Sequence, residues 1–147
     1  MTPQPPLEAL VRILVAGLGG LAVGVEREWS ARAAGNVRRF AGVRTFLLVG
    51  LVAGLAAELA ASGAGSAGLL LFAAAALLVV ASFTVHALAG DLDATTEVAA
   101  FAVLGAGWLS GSGRIAVGSA LAALTALVLA EKTKIHGLVE RLRSEEI

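Results

Sequence analysis

Cysteine and tyrosine are both absent from this 147-residue chain. Without cysteine there is no disulfide frame, no thiolate nucleophile and no thiolate metal site. A nucleophile elbow, zinc-type ligand spacing and a phosphate-cradling loop are missing as well. Gly17-Leu-Gly-Gly20 evokes a nucleotide fingerprint, but it lies inside an apolar run that no strand precedes. Enzymatic activity is therefore not expected. An excess of one charge is also lacking: 11 basic residues balance 11 acidic ones, which gives no general pull toward nucleic acid. The opening Met1-Thr-Pro-Gln-Pro-Pro6 lacks the positive start of a signal peptide, and no clean small-residue cleavage site follows Leu7–Val25. That run is read as a retained span. No repeat of 20–50 residues is visible.

What the chain does have is apolar length. It is 58% hydrophobic, with a mean hydropathy of +0.87, more than a soluble core of this size needs. A bilayer core about 30 Å thick takes roughly 20 apolar helical residues. Five stretches answer to that need: Leu7–Val25, Arg44–Ala61, Ser66–Ala89, Thr95–Leu109 and Ile115–Ala130. The last two are short and call for local thinning or for snorkelling of Arg114 and Lys132. The predicted fold is an all-α polytopic membrane helical bundle of about five spans.

Charge sorting orients it. Arg27, Arg32, Arg38, Arg39 and Arg44 crowd one loop, and Lys132, Lys134, Arg141 and Arg143 crowd the C-terminus; Arg12 and Arg114 fall on the other side. Short loops rich in Lys and Arg stay cytoplasmic, so the N-terminus is expected outside and the C-terminus inside. A four-span reading, with residues 95–130 as one hairpin, would export four basic residues. Trp29 and Trp108 near span ends suit interfacial anchoring. Residues 1–130 form the transmembrane domain. In residues 131–147, Ile135, Leu138, Val139 and Leu142 recur at helical spacing among basic residues. This predicts either an amphipathic cytoplasmic helix on the inner leaflet or a polar extension of span 5.

Small residues supply the packing surfaces. Ala16, Gly20 and Gly24 recur at four-residue steps in span 1, and Gly50 and Gly54 repeat the step in span 2. Lipid gives helices no hydrophobic reason to associate, so close approach must supply van der Waals contact. These faces either pack spans 1 and 2 within one protomer or form a homodimer seam. Arg12 and Glu58 lie at matching depths near the outer ends of spans 1 and 2, so they either pair or Arg12 snorkels alone.

The cytoplasmic side is chemically richer. Glu26, Arg27 and Glu28 end span 1, Arg44 and Thr45 begin span 2, and His86 nears the end of span 3. Asp91, Asp93, Thr95, Thr96 and Glu97 then bridge spans 3 and 4. Carboxylates, hydroxyls and carbonyls are the hard oxygen ligands that Mg²⁺ or Ca²⁺ prefers, and Mg²⁺ keeps several of its waters. Glu26, Glu28, Arg44, Thr45, Asp93, Thr95, Thr96 and Glu97 are the candidate ion or polar site, with Glu97 and Asp93 as metal-ligand candidates. The competing reading makes Asp93 or Thr95 a helix cap, Glu97 a dipole-favoured first-turn residue and the other charges interfacial pairs.

Three segments resemble the MgtC/SapB membrane-domain family: Gly20-Leu-Ala-Val-Gly-Val-Glu-Arg-Glu28, Ala41-Gly-Val-Arg-Thr45 and Thr95-Thr96. Together they cover about two-thirds of the chain in the expected order. The basic loop from Arg32 to Arg39 looks more like the branch in which this domain is joined to a second hydrophobic domain. The resemblance implies a bacterial inner-membrane protein of five spans, linked to Mg²⁺ homeostasis and to survival at low Mg²⁺. In some members it implies inhibition of the membrane ATP synthase. Two departures stand out. The sequence carries no counterpart of the founding type's soluble C-terminal regulatory domain, and span 3 reads Ala73-Ala-Ala-Ala-Leu-Leu78 in place of the usual Gly-Phe-Leu-Gly-Ala-Gly.

Three functions follow as expectations. One is an ion-binding or transport module, Mg²⁺ being the candidate ion, that needs a homodimer to enclose a path. Another is a non-transporting regulator that binds a second membrane protein, for example the ATP synthase, through its glycine faces. The third is one half of a larger architecture, paired in parallel with its own copy.

Overall fold

The computed structural model describes residues 6–33, 42–89 and 95–144. They form five helices and, among the described residues, no strand: α1 (Pro6–Ala33), α2 (Val43–Ala61), α3 (Gly65–Leu88), α4 (Thr95–Gly111) and α5 (Ile115–Ser144). The expected all-helical bundle is what forms; the helix starts fall close to the expected spans, but α1 runs on past Val25 to Ala33 and α5 past Ala130 to Ser144. Pro6–Arg32, Val43–Ala61 and Gly65–Leu88 are long and apolar enough to cross a membrane, and Ile115–Glu131 is a shorter apolar stretch. In lipid only a helix satisfies its own backbone groups, and these compositions answer that demand. α5 continues without a break from its apolar part to Ser144. The stretches 34–41 and 90–94, which contain Arg38, Arg39, Asp91 and Asp93, lie outside the described residues.

The helices alternate in direction, and α2 holds them together. Its partners approach through glycines. A Cβ on Gly50 would collide with the carbonyl of Ala16, and one on Gly54 would stand 2.7 Å from Ala16 Cβ. On α1, a Cβ at Gly20 would strike the Phe46 carbonyl, and one at Gly24 would come 2.8 Å from Val43 Cα. Gly20, Gly24, Gly50 and Gly54 thus face inward across the α1–α2 contact. The alternative of a homodimer seam on those same faces has no surface left. α4 packs against both α1 and α2: Gly107 meets Gly50 and Ala53, Gly111 meets Gly54 and Ala57, and Val103 stands over Gly20 of α1.

Behind these contacts sits a small-residue core with Val23, Phe46, Ala53, Val103 and Leu104 at its centre. Leucines on the outside of the bundle, such as Leu70 and Leu77 of α3, are largely exposed, as expected of chains that face lipid. Trp29 is 74% exposed. Trp108 differs: it stacks edge-on against Phe72 with ring centroids 4.8 Å apart, so it ties α4 to α3.

One correction concerns repetition. The turns after α2 and α4 are the same turn, fifty residues apart. Gly63 and Gly113 adopt φ values of 98° and 90°, a region open to glycine at no steric cost. Ala64 N–H bonds Leu59 O at 3.1 Å, and Arg114 N–H bonds Leu109 O at 2.8 Å, the long closing bond of a Schellman motif. Ser62 and Ser112 both donate their hydroxyls to those same carbonyls. Beyond the turn, Gly68 packs on Ala56 and Ala60, and Gly118 packs on Ala106 and Ser110. α2–α3 and α4–α5 are therefore two versions of one helical hairpin. The sequence marks the correspondence only at a few positions, Leu59, Ser62, Gly63 and Gly68 recurring as Leu109, Ser112, Gly113 and Gly118.

Candidate functional site at the Arg27 end of the bundle

Four helix ends meet where α1 and α3 finish and α2 and α4 begin. Arg27 continues the face that buries Gly20, Val23 and Gly24, and it is itself only 4% exposed. Its guanidinium Nη2 donates to Thr96 Oγ1. One residue on, Glu97 is 7% exposed, and its Oε1 stands 3.2 Å from His86 Nδ1. Ser82, one turn back on α3, places its Oγ 3.4 Å from the same Nδ1. Glu97 occupies the first turn of α4 and His86 the last turn of α3, so the contact ties the two helix ends together. Glu97 Oε2 is buried and has no hydrogen-bond partner among the described residues.

The remaining expected site residues divide. Thr45 lines the same cleft as Thr96 and Glu97. Glu28 accepts the first backbone N–H of α2, Val43, at 3.4 Å and pairs with Arg32 on its own helix; it acts as a cap for the incoming helix. Glu26 accepts the Ser30 hydroxyl, and Arg44 is exposed. Thr95 is half-buried at the start of α4, and Asp93 lies outside the described residues. Among the described residues no group of three or more His, Asp or Glu is arranged to hold a metal ion. The carboxylate-lined mouth expected from the sequence is, in these helices, a mixed cluster with a guanidinium at its centre. The site list drawn from sequence omitted Arg27, His86 and Ser82. Signals for them exist: Arg27 extends the Gly20–Gly24 face, and Ser82 and His86 are four residues apart on one helix face.

Above this cluster, α2, α3 and α4 border a cleft of about 380 Å³ whose walls are almost wholly apolar. At the opposite end of the bundle, Arg12 reaches Glu58 of α2 at 3.6 Å and Glu8 of its own helix at 3.4 Å. The α4–α5 turn closes over it, with Gly113 facing the guanidinium.

Residues 13–138, nearly all of this bundle, match the MgtC family. The chain belongs to the MgtC family. Membership makes it a membrane protein related to Mg²⁺ homeostasis, in keeping with its three long apolar helices. No curated protein and no solved structure matches the chain. For this MgtC-family chain, the match takes in both hairpins and every described residue of the Arg27 cluster.

Proposed function

We propose that the chain is a multi-pass protein of the bacterial inner membrane, N-terminus out and C-terminus in, that serves Mg²⁺ homeostasis as a regulator and not as a conduit. On this reading it acts by contacting another membrane protein. The observation that carries it is the pairing of Arg27 with Thr96 beside Glu97. A buried guanidinium at the centre of the polar cluster repels a passing cation. Further along, α1, α2 and α4 approach through glycines against carbonyl oxygens, which leaves no room for a hydrated ion between them. Since Gly20, Gly24, Gly50 and Gly54 are used within the chain, the partner meets a different surface. The outward face of α3, with Leu69, Leu70 and Leu77 exposed, is the best suited.

The test pairs two measurements. The parent chain should restore growth of a deletion strain in Mg²⁺-poor medium while reconstituted vesicles show no Mg²⁺ flux above empty ones. A photocrosslinker at Leu70 should capture a membrane partner. Saturable Mg²⁺ flux that disappears in Glu97→Gln would overturn this reading in favour of the ion-binding or transport module.

A further inference from the structure

The cleft between α2, α3 and α4 has a counterpart in the other hairpin that is filled. There, α2 carries α1 on one face: Gly17 of α1 lies against Leu47 and Leu51, and Gly20 and Gly24 lie against Phe46. Fifty residues on, Phe46, Leu47 and Gly50 become Thr96, Glu97 and Ala100 of α4. All three line the cleft, so it opens on the face of α4 that matches the α1-bearing face of α2. Among the described residues no helix fills that place. A second contact of α1 points the same way. Gly19 faces Ala122 of α5, and the α3 residue in that register is Phe72, whose ring meets Trp108 edge-on. A phenylalanine in place of an alanine takes up part of the space. The remainder is the cleft, walled by Leu48 and Val52 of α2 and by Leu71, Ala74 and Leu78 of α3.

We propose that the cleft holds one acyl chain of a membrane lipid, gripped by its hydrocarbon and not by its headgroup, at the position on α4 that corresponds to that of α1 on α2. Size, wall chemistry and access select this occupant. The cleft of about 380 Å³ would be used up by about one turn of a helix 10–12 Å across, so a further transmembrane segment does not fit. The volume does lie within the range of small-molecule sites. Its walls are almost wholly apolar. Thr96 is taken by Arg27, while the Glu97 carboxylate meets His86 at Oε1 and is sealed at Oε2. A polar solute therefore finds little to bind, and a hydrocarbon brings no charge toward the buried guanidinium. Leu48 and Leu78 are more than half exposed, and both belong to helices long and apolar enough to cross a membrane, so the opening faces lipid. Left empty, the walls would forfeit the dispersion contacts that α1 supplies to the other hairpin; a slim chain restores them. The inference does not depend on the regulator reading, and its test involves no Mg²⁺.

The experiment is native mass spectrometry of the full chain with phosphatidylethanolamine, phosphatidylglycerol and phosphatidylcholine of identical acyl chains. One lipid per chain should survive activation that strips the rest, and the three headgroups should be retained to the same extent. Ala74→Phe places a ring at an exposed wall position. It should lower retention about tenfold, the effect of displacing roughly two methylenes from an apolar site. Ala73→Phe, at the neighbouring exposed position outside the cleft lining, should leave retention unchanged. In the parent chain, a phospholipid with a diazirine along its acyl chain should label Leu48 or Val52 together with Leu78. A parent chain that keeps no lipid, or that prefers one headgroup, would overturn the proposal. So would equal losses in Ala73→Phe and Ala74→Phe, or labelling confined to the outward Leu70 and Leu77. If circular dichroism shows that Ala74→Phe does not fold, the headgroup series and the labelling pattern of the parent chain decide alone.

Discussion

Arg12 on α1 and Glu58 on α2 face each other at 3.6 Å, their side chains only 16% and 14% exposed, beneath the turn that joins α4 to α5. Two helices of opposite direction bring them together, and neither charge is placed to reach water easily. Reversing Arg12 to Glu or Glu58 to Arg should destabilise the protein by about 3 kcal/mol, the usual scale for orphaning one member of a poorly solvated pair. Glu8, which also contacts Arg12, offsets part of the loss in Glu58→Arg. The double reversal should recover most of the stability. Detergent-solubilised thermal melts of the three variants check this, and a double variant no better than the singles would refute it.

The glycine contacts make a sharp contrast between Gly50 of α2 and Gly105 of α4. Gly50→Ala pushes a methyl group into the Ala16 carbonyl, so α1 and α2 must separate at a cost of about 1–3 kcal/mol. Gly105 has Leu121 Cδ2 at 3.8 Å from an added Cβ, an ordinary contact. Gly105→Ala should be neutral or stabilising by up to about 1 kcal/mol through helix propensity. Unfolding titrations in mixed micelles should rank the two variants in that order.

At the other end of the bundle, Thr96 is the acceptor for the Arg27 guanidinium. Thr96→Val keeps the shape and removes the acceptor, which should cost about 1–3 kcal/mol. Thr96→Ser restores the hydroxyl and should lie near the parent. Arg27→Lys should not behave conservatively, because an ammonium lacks the planar fork that spans this gap. Thermal stability of the three variants is the measurement.

The contact between His86 and Glu97 joins the last turn of α3 to the first turn of α4. His86→Leu removes the partner of Glu97 Oε1 and should destabilise by about 1–3 kcal/mol. His86→Gln keeps a donor within reach and should lose less. Because His86 lies in the last turn of α3, hydrogen exchange should rise first in residues 80–88 of the leucine variant. Uniform exchange along all helices would contradict this.

How much of this was legible without coordinates varies by residue. The helices were, since runs such as Gly65–Leu88 admit no other structure in lipid. Residue counting puts Arg12 and Glu58 at matching depths but leaves open whether they pair or Arg12 snorkels alone; the structure brings them to 3.6 Å. Glu97 lies deepest along its span among the acidic residues of the candidate ion or polar site. Its surroundings were less accessible. Glu26 and Glu28 share a helix end with Arg27, yet one helical turn spreads them over different faces: Arg27 goes inward while Glu28 receives the start of α2. Rotation about the helix axis decides between those fates, and it is set by which glycines find carbonyls to pack on. The duplicated hairpin did leave a trace, because Leu59, Ser62, Gly63 and Gly68 recur as Leu109, Ser112, Gly113 and Gly118, but the residues between them differ.

That duplication has a chemical corollary. Position for position, Thr96 and Glu97 of the second hairpin correspond to Phe46 and Leu47 of the first. Phe46 is among the most enclosed side chains of the protein, and Leu47 lies against α1 at Gly17. The same architectural unit therefore appears once as an inert brace and once with a hydroxyl and an acid substituted at the equivalent register. A division of labour is built into the pair: one half can keep the assembly rigid while its counterpart is free to carry reactivity.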